Sequence, residues 1–147
     1  WCDPDAVMRE FRRVLKPGGG LCLTSLGPAT LYELRRAWAN VDDGVHVNDF
    51  ASRFSLQDAL VNNGFSEFTI DVYPQILEYP DVLTLMLELK RLGAHNLMPS
   101  RSRGLTGKGA LRAMMSSYAH QFSSESGMQA TFEVFHVHAR VGGNGHG

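Results

Sequence analysis

Six cations and no acid occupy the stretch from Leu89 to Ser124: Lys90, Arg91, Arg101, Arg103, Lys108 and Arg112. A segment of this kind makes a local positive field and favours an anionic partner or ligand. Arg101 and Arg103 stand in a stretch with Pro99 and three glycines (Gly104, Gly107 and Gly109), where no neighbouring acid prearranges a salt bridge. They are the candidates for gripping an anion, and the plain alternative is solvated loop charge. His136 and His138 alternate and so share one face of a strand. Two histidines at that spacing can hold a metal, but no third ligand is near in sequence, and strand packing is the better reading. Tyr118 falls on an apolar helical face with Met114, Met115 and Phe122, and its hydroxyl needs a partner if buried.

Other chemistry is excluded or weak. The net charge of −1 rules out a generally basic nucleic-acid binder, and no aromatic residues interleave with the cations as a stacking platform requires. Cys2 and Cys22 make no disulfide framework and have no Cys or His at metal spacing; Cys22, in an apolar strand, reads as a small core residue. Gly18-Gly19-Gly20 follows a helix and precedes a strand, whereas a nucleotide loop needs the reverse order. The lack of a cysteine framework fits a reducing cytoplasm; no apolar run reaches membrane-spanning length and no signal-peptide pattern is visible.

The elements that must position these residues are well signposted. At 147 residues and 44% hydrophobic, the chain can bury the core of one domain. Asp3 caps a first helix, Pro4 suits its first position, and Val7, Phe11, Val14 and Leu15 form its buried stripe. Leu21 to Leu26 is a short strand without polar alternation, as expected of a strand covered on both faces. Thr30 and Glu33 form a capping box for a helix through Trp38, in which Leu31, Leu34 and Trp38 share one face. Asn40 to Asp49 is a polar loop. Ser55 and Asp58 resemble a second box, opening a helix that Gly64 ends. Phe65 to Tyr79 is a long strand. Asp81 caps a helix with Val82, Leu83, Met86, Leu89 and Leu92 as its stripe and Gly93 as its stop. Residues 95–109 read as an irregular loop, Thr106 as the cap of the next helix, and Thr131 to Val141 as a final strand. The glycine-rich end, 142–147, reads as a frayed tail.

Several blocks together resemble one family. Leu15-Lys16-Pro17-Gly18-Gly19 alone resembles the class I methyltransferases that use S-adenosylmethionine. The run Leu23 to Leu34, then Trp38, Asp42, His46-Val47-Asn48 and Phe50, is more specific. So are Leu89-Lys90-Arg91-Leu92-Gly93-Ala94-His95-Asn96-Leu97 and Arg103-Gly104-Leu105-Thr106-Gly107. From Trp1 to about Val141 the chain is similar to the malonyl-[acyl-carrier protein] O-methyltransferases of biotin synthesis, the BioC family.

The resemblance implies an α/β fold: the C-terminal half of a Rossmann-like class I methyltransferase. Its strands would be the fifth, seventh and sixth in spatial order, with the seventh antiparallel. Residues 1–141 would form this portion, with helices inserted between the sixth and seventh strands. The glycine-rich cofactor loop and acidic ribose-binding residue would lie upstream of Trp1. The chain alone is then expected to bind S-adenosylmethionine poorly and to be inactive. With the fourth strand gone, Leu21 to Leu26 would be an apolar edge, prone to self-association or to being covered by displaced segments.

The implied reaction moves a methyl group to the free carboxylate of a malonyl thioester on acyl carrier protein. An Arg would then grip the non-reacting oxygen, because its planar fork matches a carboxylate; Arg103 is preferred to Arg101. Asn96 and, less strongly, His95 would hydrogen-bond the thioester or pantetheine amides. His46 and Asn48, on the cofactor side of the sheet, would shape the substrate pocket, with Tyr118 a further candidate. Lys90, Arg91, Lys108 and Arg112 would steer the acidic carrier protein. The competing readings are a methyltransferase acting on another small molecule and a non-catalytic anion-binding module.

Overall fold

Asp3 Oδ1 accepts from the amides of Asp5 and Ala6, and Pro4 opens helix α1 (Pro4–Val14), as the capping pattern predicts. The computed structural model describes residues 3–92 and 108–142. After α1 come β1 (Gly20–Leu26), α2 (Tyr32–Ala39), α3 (Arg53–Asn62), β2 (Phe65–Tyr79), α4 (Val82–Arg91), α5 (Lys108–Phe122) and β3 (Met128–Val141). The three strands form one sheet in the order β1-β3-β2. β1 runs antiparallel to β3, with Cys22 opposite His138 and Leu26 opposite Val134. This is the order expected for a fifth, seventh and sixth strand of a methyltransferase fold. β1 is an edge among the described strands.

The described residues divide into two compact units, and the long strands β2 and β3 contribute to both. The first contains residues 3–28, 50–74 and 133–142. Its core joins Met8 of α1 and Leu56, Ala59 and Leu60 of α3 to Phe135, Val137, Ala139 and Val141 of β3. Alternate residues of β3 supply this face because strand side chains repeat with period two. The second contains residues 29–49, 75–92 and 108–132. There α5 packs against both α2 and α4, burying Leu34, Trp38, Leu85, Leu89, Met114 and Tyr118.

Local reading fails wherever a distant group offers a better contact. The stripe of α1 is centred on Met8, 1% exposed, with Phe11 and Leu15 half-buried; Val14 is 63% exposed. On α4 the sealed positions are Val82, Leu85 and Leu89, while Leu83 and Leu92 face solvent. Cys22 is exposed rather than a core residue, and exposure alternates along β1. Leu21 and Leu23 lie against the core, so β1 has one covered face and one open face among the described residues.

Two expected caps are replaced. Helix α2 has Leu31 at its N-cap in the left-handed region (φ 56°) with no side-chain cap, and Glu33 turns to β3 instead. The unusual backbone of Leu31 is held by its amide, which donates to Thr131 O at 2.7 Å, and by complete burial of its side chain. Helix α3 is capped by Ser52, whose Oγ accepts from the Ser55 amide at 3.1 Å, so Ser55 lies inside the helix. Gly64 ends that segment at φ +78°, a conformation open to glycine. Asp81 caps α4 as expected, accepting from the Thr84 amide at 2.7 Å. β3 begins at Met128, three residues before the expected start.

Candidate functional site

The candidates within the described residues all belong to the second unit. Arg101, Arg103, Asn96, His95 and the proposed cap Thr106 lie outside the described residues. Lys90 and Arg91 close α4, and Lys108 and Arg112 fall in the first turns of α5. All four are exposed, and among the described residues none forms an ion pair. Among the described residues their charge faces water without an ionic partner.

His46 sits in the loop that follows α2, and the loop is tightly organised around it. Its Nε2 lies 2.5 Å from Asp42 Oδ1. The same carboxylate oxygen accepts from the Gly44 amide at 2.8 Å. A carboxylate with two donors is an acceptor, so Nε2 carries the hydrogen. These bonds hold the Asp42 carboxyl below its ordinary range, the His46 contact contributing most. The imidazole stacks on the indole of Trp38, with ring centres 3.9 Å apart and planes 12° from parallel. Trp38 is 3% exposed, and its Nε1 is buried without a hydrogen-bond partner among the described residues. A Cβ on Gly44 would lie 2.9 Å from both Asp42 Oδ1 and His46 Nε2, so a larger residue there would have to displace this pair.

Asn48 is exposed in the same loop, beside the buried Val47. Tyr118 is fully buried, and its hydroxyl donates to Gln129 O at 2.6 Å. Burial foremost, and then the charge of Glu33, push its phenol above the ordinary range. The structure thus supplies the partner that a buried tyrosine needs. Sequence reasoning passed over Asp42 and Trp38 as site residues. The available signal was an acid four residues before a histidine in a polar loop, flanked by an aromatic at Trp38.

Other features of the described residues carry no candidate residue. His136 and His138 lie exposed on β3, and the His136 ring is 4.8 Å from that of Tyr73. Among the described residues no group of three or more His, Cys, Asp and Glu side chains is placed to hold a metal ion. A concavity of about 850 Å³ lies on the first unit, lined in part by Cys22, Glu67, Thr69, His138 and Arg140, and none of the candidate residues lines it. No helix among the described residues is long and apolar enough to cross a membrane.

With this geometry in hand, similarity to known proteins decides the lineage. No protein-family profile matches the chain. It is 42% identical over 136 residues to a malonyl-[acyl-carrier protein] O-methyltransferase of Laribacter hongkongensis, covering 92% of this chain and 46% of that protein. The chain is homologous to a part of the malonyl-[acyl-carrier protein] O-methyltransferases. A relative of that name from Methylococcus capsulatus is 42% identical over 91% of this chain and 49% of its own length. The biotin biosynthesis bifunctional protein BioHC of Cellvibrio japonicus is 41% identical over 93% of this chain and 27% of its own length. The chain thus spans about half the length of these relatives or less.

The residues described do not make a cradle for S-adenosylmethionine. Among them no glycine-rich loop leads from a strand into a helix; Gly18, Gly19 and Gly20 lead from α1 into β1.

Proposed function

We propose that this chain is the acceptor side of a carboxyl O-methyltransferase whose substrate is the malonyl thioester of an acyl carrier protein, in biotin synthesis. The observation that carries this reading is identity of 41–42% along 91–93% of the chain to proteins of that name or to BioHC. The exposed cations of α4 and α5, none of them ion-paired among the described residues, support it, since acyl carrier proteins are acidic. The methyl donor would be S-adenosylmethionine, held by residues other than those described, and the chain alone would not turn over.

The acceptor chemistry needs little from the protein beyond placement. A carboxylate is ionised at neutral pH, so no general base is required. The oxygen must be held in line with the methyl group and stripped of water, and such alignment is worth roughly 7–11 kcal/mol. Arg103, with Arg101 as the second candidate, holds the non-reacting oxygen, which leaves the attacking oxygen nucleophilic. Asn96 hydrogen-bonds the thioester or its arm, His46 and Asn48 shape the substrate pocket, and Tyr118 braces the second unit from within its core. Lys90, Arg91, Lys108 and Arg112 receive the carrier protein. The edge of β1 pairs with a second copy of the chain.

The test is an assay of the full form that the gene encodes, with malonyl-carrier protein and labelled S-adenosylmethionine. A labelled methyl ester of the malonyl group is expected, and the 147-residue chain by itself should give none. Transfer to another small molecule with no malonyl ester would overturn the substrate assignment. Carrier binding that persists in Lys90→Glu and Lys108→Glu variants would remove those residues from the docking surface.

A further inference from the structure

The Asp42–His46 pair is more ordered than a loop staple requires, and it leaves one nitrogen unused. Asp42 fixes the hydrogen on Nε2, Trp38 fixes the plane of the ring, and Gly44 closes the backbone over the bond. The other ring nitrogen, Nδ1, has no partner among the described residues. The His46 side chain keeps 14% of its surface open. In a neutral imidazole bonded through Nε2–H, Nδ1 is a bare acceptor. It therefore calls for a ligand that brings a donor.

The acyl head of a malonyl thioester brings none. Its carboxylate oxygens, thioester carbonyl and sulfur are acceptors, and its methylene is not a useful donor. The arm that links such a head to a carrier contains amide N–H groups, and these are the matching partners. We propose that His46 Nδ1 accepts a hydrogen bond from an amide N–H of the arm bearing the acyl group, and that Asp42 is the positioning residue that sets the tautomer. This inference rests on the acceptor reading above and assigns His46 to the arm rather than to the carboxylate.

The test compares two small substrates in the full form that the gene encodes: malonyl-S-N-acetylcysteamine, which carries one amide, and malonyl-S-ethyl, which carries none. His46→Phe keeps an aromatic ring for Trp38 and removes Nδ1. It should lower kcat/KM for the amide-bearing substrate about 3- to 10-fold further than for the amide-free one, the worth of one neutral hydrogen bond, chiefly through KM. Asp42→Asn, which can turn its amide to donate and so reverse the tautomer, should give the same selective loss. An equal loss on both substrates, or no loss on either, overturns the proposal. Methylation of neither substrate by the unaltered protein refutes the acceptor reading instead. The arm contact is then read by nitrogen-15 NMR during titration with pantetheine. A shift of the His46 Nδ1 resonance that Asp42→Asn abolishes supports the contact, and an unmoved resonance overturns it.

Discussion

Glu33 of α2 closes on Thr131 of β3, ninety-eight positions later: one carboxylate oxygen accepts from the Thr131 amide at 3.1 Å and the other from its hydroxyl at 2.5 Å. Glu33 is 2% exposed, so this is a sealed acid matched to two donors. Removing it leaves both donors unsatisfied, which costs about 1–3 kcal/mol each. Glu33→Ala should therefore lower the free energy of unfolding by at least about 2 kcal/mol in urea titrations. Glu33→Gln, which retains an acceptor, should recover part of the loss. Equal stability of Glu33→Ala and the unaltered protein would refute this.

Tyr118 gives an alkaline signature. Its folded phenol lies above the ordinary value of 10.0 because burial disfavours the phenolate, with the charge of Glu33 adding to it. The resulting stability is whole below the unfolded value and is lost as pH rises from there toward the folded value. Denaturation midpoints should fall as pH climbs past about 10, more steeply than in Tyr118→Phe. The variant should also be about 1–3 kcal/mol less stable at neutral pH, because the Gln129 carbonyl loses its donor. Parallel pH profiles for the two proteins would count against the assignment.

Asp42 gives the acid counterpart. The bonds from His46 and then the Gly44 amide lower its folded value below 3.8. The stability linked to it is present above that ordinary value and is lost as pH falls through the lowered one. A carbon-13 titration of the Asp42 carboxyl should have its midpoint below 3.8 in the unaltered protein and return toward it in His46→Phe. A midpoint at the ordinary value in the unaltered protein would contradict the geometry.

The four exposed cations should act on rate before affinity. Reversal of Lys90, Arg91, Lys108 and Arg112 to Glu is expected to slow association with acidic carrier protein about tenfold or more at low salt. The difference should shrink as salt rises toward 1 M, where screening reaches about 3 Å. Stopped-flow association rates at several ionic strengths decide this, and a salt-independent defect would point to misfolding.

The edge of β1 makes a prediction about assembly. An edge strand offers unpaired backbone groups to another chain, and lysine on such an edge blocks pairing. The chain should sediment as a dimer or larger species, and Thr24→Lys, at an exposed position of β1, should shift it to monomer. A monomer at micromolar concentration before any substitution would remove the proposed self-pairing.

Legibility in the sequence followed the range of the interactions. Asp3 and Asp81 act on amides two or three residues away and Pro4 acts through its own backbone, so their pattern could be read directly. β2 was legible because its run of Phe, Ile, Val and Tyr favours a strand over its whole length. The Thr30–Glu33 box looked equally local, yet Glu33 had two donors waiting on β3. Ser55 looked like a cap because the competing Ser52, three residues earlier, is chemically equivalent.

The site divides in the same way. The acid-free cationic segment and the blocks that carry the resemblance are properties of composition and order, so the sequence alone determined them, together with the helix and strand identities that rest on near neighbours. Only the tertiary structure decided that Met8 rather than Val14 is sealed, that Cys22 faces outward, and that Tyr118 spends its hydroxyl on Gln129. The same holds for the stacking of His46 on Trp38 with its edge fixed by Asp42. Each of these depends on which side chain meets which across a folded loop or between elements, and spacing along the chain does not encode that choice.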